Sequence, residues 1–338
     1  MQVEIGSAPS RAAATKKHDH RSTCRVVGAA AFLVASAVQS PAVADEGGVS
    51  FWLPGQYGSF AAIAPSVGWT LPMQAYGYSG RVGGNSPTER GRALAFGLDT
   101  DFTALFVAPT YAPDTTILGA RPAFSLAFFP GWNEVSADVS AGTARRQRSD
   151  SVAGFGDLYP TAQLFWDGGL HNWMAYLTGN IPVGSYDPNR LANLGLGHAA
   201  IDAGGAYTYL NSSTGWEFSV TAGLTYNLEN PDTNYTSGID FHADFGLSRS
   251  LTEQFFVGLV GYAYVQLTPD NGQPALLGSF ESQTFAIGPQ IGYTFQVEDR
   301  AIYTNLRGYV EFAAKDRPQG GSIFLTTSIP ISPPPVRR

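Results

Sequence analysis

From Gly215 to Leu228 the chain alternates without a break. Trp216, Phe218, Val220, Ala222, Leu224, Tyr226 and Leu228 are apolar, and Glu217, Ser219, Thr221, Gly223, Thr225 and Asn227 fall between them. A period of two gives a strand one oily face and one wet face. The pattern returns from Ile302 to Phe312, where Asn305, Arg307, Tyr309 and Glu311 share the wet side. It returns again over Ile239–Leu247 and Phe285–Phe295. Runs of about 10–14 residues are long for soluble strands, which average about 5–6. They suit a tilted strand crossing a bilayer, which needs about 9–11 residues.

Lipid offers no hydrogen-bond partners, so a sheet that spans it must close on itself. The expectation is therefore an all-β fold, a transmembrane antiparallel barrel with apolar residues toward lipid and polar ones toward the lumen. Composition agrees: 39 glycines, 13% aromatic residues and only 14% charged residues. The net charge of −7 argues against a grip on nucleic-acid phosphates. Connections are sorted by length. Asp167–Leu170, Asn211–Thr214, Leu251–Glu253 and Glu298–Arg300 read as tight turns. Ser185–Gly197, Glu229–Ser237, Pro269–Phe280 and Ala313–Gly321 read as long polar loops. Short turns at one end and long loops at the other describe an outer-membrane barrel. Trp69, Trp166, Trp173, Trp216, Tyr226 and Phe312 fall near strand ends, as girdle residues or as ordinary packing.

Counted back from the C-terminus, nine strands are clear: 321–331, 301–313, 282–297, 254–268, 238–250, 215–228, 199–210, 171–183 and 155–167. Earlier candidates are 133–141, 120–130, 102–112, 92–100 and 68–79, with tight turns at Thr100-Asp101 and at Pro130-Gly131-Trp132. The total is about 14 strands over 68–331, followed by a tail at 332–338. Misreading of 120–141 gives 12.

Residues 1–44 read as a signal peptide: a basic stretch, the apolar run Val26–Val38, and Ala42-Val43-Ala44 before Asp45. Cys24, the chain's one cysteine, lies within it, so no disulfide is expected beyond it. Residues 45–67 are glycine-rich, aromatic and irregular. They fold into the lumen as a plug, or they form a flexible leader.

Asp240, His242 and Asp244 share the wet face of one strand. They are about 7 Å apart in sequence steps, long for one metal coordination sphere, and the expectation is no metal. With Asp157, Arg307 and Glu311 they are read as a polar lumen network, joined by Gln163, Asp202 and Glu217. No nucleophile–base–orienter constellation is evident, so no enzyme and no cofactor are expected.

Three stretches are too particular for a generic barrel: SFWLPGQYGS from Ser50, SDSVAGFGDLYP from Ser149, and IPVGSYDPNRLANLG from Ile181. With NPDTNY from Asn230 and IGPQIGY from Ile287, the chain resembles the phenol meta-pathway degradation family of outer-membrane proteins over nearly all of 48–330. The resemblance implies an outer-membrane transporter for passive uptake of small hydrophobic, aromatic compounds. On that reading loops 142–154, 185–197 and 269–280 capture substrate, with Tyr159, Tyr186 and Tyr235 near the mouth. Arg190 contacts substrate or lipopolysaccharide phosphate, or anchors its loop. Partners are the lipid bilayer, lipopolysaccharide and the barrel-assembly machinery. The last strand departs from the usual terminal aromatic and leaves Phe324 or Ile331 as the recognition residue. The alternative is a closed structural barrel that presents loops without transport.

Overall fold

The computed structural model describes residues 50–82, 87–90, 93–141, 144–272 and 281–332; the signal-peptide expectation lies outside them. The chain lays down β1 (Gly68–Arg81), β2 (Pro87–Arg90), β3 (Ala93–Val107), β4 (Thr110–Ala112), β5 (Arg121–Ala127) and β6 (Pro130–Ala141). There follow β7 (Ala144–Phe155), β8 (Tyr159–Gly168), β9 (His171–Gly179), β10 (Ala200–Asn211), β11 (Trp216–Asn227) and β12 (Tyr235–Thr236). Last come β13 (Asp240–Ser250), β14 (Phe255–Gln266), β15 (Asn271–Gly272), β16 (Gln283–Val297), β17 (Arg300–Lys315) and β18 (Gln319–Pro330). No helix long and apolar enough to cross a membrane occurs among the described residues, a statement that leaves strands untouched.

The strands close into an antiparallel barrel of 12 staves, sealed where β1 pairs β18 from Thr70↔Pro330 to Arg81↔Gln319. Three staves are broken pieces of one long strand each: β3 with β4, β5 with β6, and β7 with β8. The count of 14 therefore gives way to the count of 12. Thr100-Asp101 is no turn. Both residues sit inside β3, paired with Val135 and Glu134. What interrupts regularity there is a bulge between Phe96 and Asp99, with Gly97 at φ 58. Pro130-Gly131-Trp132 opens β6 instead of turning the chain. A Cβ on Gly131 would stand 2.9 Å from Thr103 O, so glycine here admits close strand approach. Two loop expectations are also corrected. Residues 144–155 form β7, and Ala313–Gly321 shrinks to the three residues between Lys315 and Gln319.

Alternation decides which side each residue faces. On β11 Trp216, Phe218, Leu224 and Tyr226 are exposed on the outer surface, while Glu217, Ser219, Thr221 and Thr225 are buried. A stave such as β13, with 11 residues, rises about 28 Å at a tilt near 40°, enough for an apolar band of about 25 Å. Trp69, Trp173, Trp216, Tyr226 and Phe312 are exposed near stave ends, and Trp166 Nε1 donates to Leu118 O.

Inside the ring, side chains from many staves meet residues 50–62. Asp244 accepts the N–H groups of Gly55 (2.8 Å) and Tyr57 (3.1 Å). Glu217 accepts that of Phe60, Ser219 that of Ala61 and Thr208 that of Ala62. Arg307 and Gln74 donate to Gln56 O, and Tyr309 donates to Gly55 O. An irregular buried backbone must find a partner for every polar group. Here the inward face of the barrel supplies them.

Candidate functional site

A cavity of about 250 Å³ lies between residues 50–57, the loop at 191–198 and the inner faces of β1, β3, β8, β9 and β14. Period two sends aromatic rings into it from several staves. Tyr76 packs on Phe324 and Phe102, with ring centroids at 4.6 and 5.8 Å. Phe129 meets Phe106 at 4.6 Å and Tyr159 at 6.3 Å, and Phe51 covers Tyr159 at 5.6 Å. Trp52 stacks on His242 at 3.6 Å and on Tyr57 and Tyr176 at 5.8 Å. Such walls offer offset and edge contacts to another ring.

Several of the polar groups at the cavity are committed to protein partners. Glu311 accepts from Tyr78 OH (2.9 Å), Tyr262 OH (2.8 Å) and Gly320 N (2.7 Å). Asn133 donates to Asn193 O. His198 shares a 3.0 Å hydrogen bond with Leu196 O through Nδ1, and burial pulls its pKa below the usual histidine value. Arg317, in the turn between β17 and β18, lies over the Tyr264 ring at 4.8 Å.

The inward loop is clasped by Asp157. This fully buried carboxylate accepts from Gly184 N (2.9 Å), Leu196 N (3.1 Å) and Asn180 Nδ2 (2.8 Å). A Cβ on Gly184 would fall 2.6 Å from Gly156 C and 2.7 Å from Asp157 Oδ1. Leu191, Leu194 and Leu196 then bury themselves beside Phe129 and Tyr159.

The structure brings some expected residues together and keeps others apart. Tyr159 stands in the cavity wall. Tyr186, Arg190 and Tyr235 are not among the residues lining it. Asn230 Nδ2 donates to Tyr186 OH, Tyr235 OH donates to Asp270, and Arg190 N donates to Asp187 O. Those bonds pack loops on loops. Asp157, Asp240, His242, Asp244, Arg307 and Glu311 are all buried on the inner side. Asp240 accepts from Asn227, whereas His242 Nε2 faces Asp202 at 2.8 Å. Asp244 turns instead to the inserted backbone, so the three do not converge on one point. Loop 269–280 falls partly outside the described residues. The last strand buries Phe324 within the barrel and leaves Ile331 exposed at its end.

Sequence reasoning missed Trp52, Tyr76, Phe102, Phe106, Phe129 and Arg317. The signal was present for most of them. Tyr76 and Tyr78 follow Gln74 on the wet phase of β1, and Tyr262 and Tyr264 precede Gln266 on that of β14. Rings on the lumen side of an alternation mark a lined cavity.

Comparison with known proteins agrees with this architecture. Residues 61–327 match the model of the family described as "Putative MetA-pathway of phenol degradation". No curated protein matches by sequence. Among solved structures, the COG4313 outer membrane channel from Pseudomonas putida F1 superposes with a TM-score of 0.62 at 14% identity. The match covers 81% of this chain and 99% of that one. A Pseudomonas aeruginosa FadL homologue matches with a TM-score of 0.41 at 8% identity, over 77% of this chain and 89% of that one. The fold is that of bacterial outer-membrane barrels.

Proposed function

Since the chain belongs to the phenol MetA-pathway degradation family and is an outer-membrane barrel, we propose that it is a passive channel for small hydrophobic, aromatic compounds. The observation that carries this is the ring-lined cavity. Phe51, Trp52, Tyr76, Phe102, Phe129 and Tyr159 surround a space of about 250 Å³ inside the barrel. A hydrophilic pore gains nothing from such a wall. An apolar ring gains its desolvation, about 25 cal/mol per Å² of area buried.

Substrate enters from the long-loop end, which faces outward, and rests among the rings. Residues 50–67, the described part of the expected 45–67 segment, serve as a plug. Exit requires either that this plug yield or that the wall part. The backbone of 55–62 is bonded to Asp244, Glu217, Ser219, Thr208, Arg307, Gln74 and Tyr309. The wall beside β7 lacks a continuous ladder: among the described residues β7 pairs with β6, and its other edge meets the 180–199 loop through separate bonds. This contrast favours exit through the wall. The filled interior suits the second reading as well, a closed structural barrel. Growth of a deletion strain on limiting aromatic carbon separates them: slower growth restored by the gene supports uptake, and unchanged growth supports the structural barrel.

A further inference from the structure

We propose that the cavity selects aromatic carboxylates, and that Arg317 is its specificity-determining residue. The inference rests on the uptake reading and names the substrate class within it. Arg317 lines the cavity together with Tyr78, Tyr262 and Glu311. Its Nε and Nη1 are buried without a hydrogen-bond partner, although a guanidinium carries five N–H donors. The contact that positions it is the Tyr264 ring beneath, at 4.8 Å. Glu311 is the nearest candidate counter-ion, but its oxygens are taken by Tyr78 OH, Tyr262 OH and Gly320 N. Three donors spread its charge, and no ion pair joins it to Arg317 among the described residues.

Arg317 is half-buried and the Glu311 charge supports its cation, so what the structure leaves unmet is hydrogen bonding: buried N–H donors without acceptors are costly unless a ligand meets them. A planar guanidinium held on an aromatic face presents the fork that a carboxylate fits bidentately. Tyr78, Tyr262 and Arg317 line the same cavity as Tyr76, Phe102 and Phe129. A ligand with an aryl body and a carboxylate head matches both rings and fork. A neutral arene fills the rings and leaves the fork unmet. Benzoate is the simplest compound of the favoured class and toluene its neutral counterpart.

The test uses the full mature chain in detergent, titrated with benzoate, phenol and toluene by calorimetry and by quenching of tryptophan emission, since Trp52 lies in the cavity wall. The expected result is benzoate bound about tenfold more tightly than toluene, weakening as salt rises. Arg317→Gln loses that preference and keeps toluene binding. Arg317→Lys, which keeps the charge and loses the fork, recovers part of it. Heat-modifiable gel mobility shows that each variant is a folded barrel. Toluene or phenol bound as well as benzoate by the native protein overturns the carboxylate assignment and leaves the uptake reading standing. Benzoate preference retained in Arg317→Gln overturns the role of Arg317. No binding of any of the three overturns the uptake reading and this inference with it.

Discussion

Gly246 shows how closely single residues tie the inserted segment to the wall. It lies on the inward face of β13, and a Cβ there would stand 2.5 Å from Ser59 N and 2.8 Å from Gly58 C. Both are backbone atoms with no flexible end to yield. Gly246→Ala should therefore lever residues 58–59 off the wall at a cost of about 1–3 kcal/mol, the usual range for overpacking. The expected readout is cleavage of residues 50–67 by added protease, with gel heat-modifiability unchanged. Asp244→Ala should act alike by another route, since it strands the N–H groups of Gly55 and Tyr57 at about 1–3 kcal/mol each. His198 adds a pH dependence. Unfolded, its ring takes up a proton near 6.5; buried beside Leu196, it does so only at lower pH. Protons thus favour the loosened loop across the window below 6.5, and stability of the insertion rises with pH there. Protection factors of the amides at 184–198, taken relative to the intrinsic exchange rate at each pH, should fall as pH falls from 7 to 5, and His198→Gln should flatten that slope.

Among the elements, what could be read in advance follows from where lipid lies. Alternation exposes β11, β13, β16 and β17 plainly, because one face meets acyl chains and the other the packed lumen. Gln147, Arg148, Ser149, Asp150 and Ser151 of β7 carry no such contrast. They read as a loop because nothing oily faces outward there. Thr100-Asp101 read as a turn for the same reason, yet both sit inside β3, and the neighbouring Asp99 pairs with Arg81 across the β1–β3 ladder. The cavity was legible only as rings on the wet phase, and Arg317 carried no signal, since one arginine in a turn is ordinary. The 180–199 loop was legible as long, but its inward fold depends on Asp157, distant in sequence from Leu196. Asp157→Ala removes the acceptor of Gly184 N, Leu196 N and Asn180 Nδ2 at once. It should free the loop, so that protease cuts within 184–196 while the staves survive.

At the scale of the whole molecule, closure is uneven. The ladder between β1 and β18 runs through twelve residue pairs, from Thr70 to Arg81. Beside β7 the ring is completed by an isolated bridge, Leu158↔Ile181, and by single bonds such as Ser185 N to Phe155 O at 2.8 Å and Leu191 N to Asp150 Oδ2 at 2.8 Å. Phe155 and Val183, 61% and 62% exposed, flank this seam on the outer surface. Behind it stand Leu191, Leu194 and Phe129 of the cavity. On the proposed uptake reading, a sideways exit between Phe155 and Val183 leads from the rings to an apolar outer surface, whereas the axial path crosses the buried carboxylates Asp244 and Glu217. The seam can be tied. A Cβ on Gly154 would lie 3.5 Å from Ser185 Cβ, within the span of a disulfide, about 3.5–4.5 Å. The paired substitutions Gly154→Cys and Ser185→Cys, oxidised in place, should slow uptake of a labelled arene several-fold, and reductant should restore it. Each single substitution serves as its control. Uptake that ignores the tether would place the route along the axis, past the inserted segment, and then Gly246→Ala rather than the seam should govern the rate.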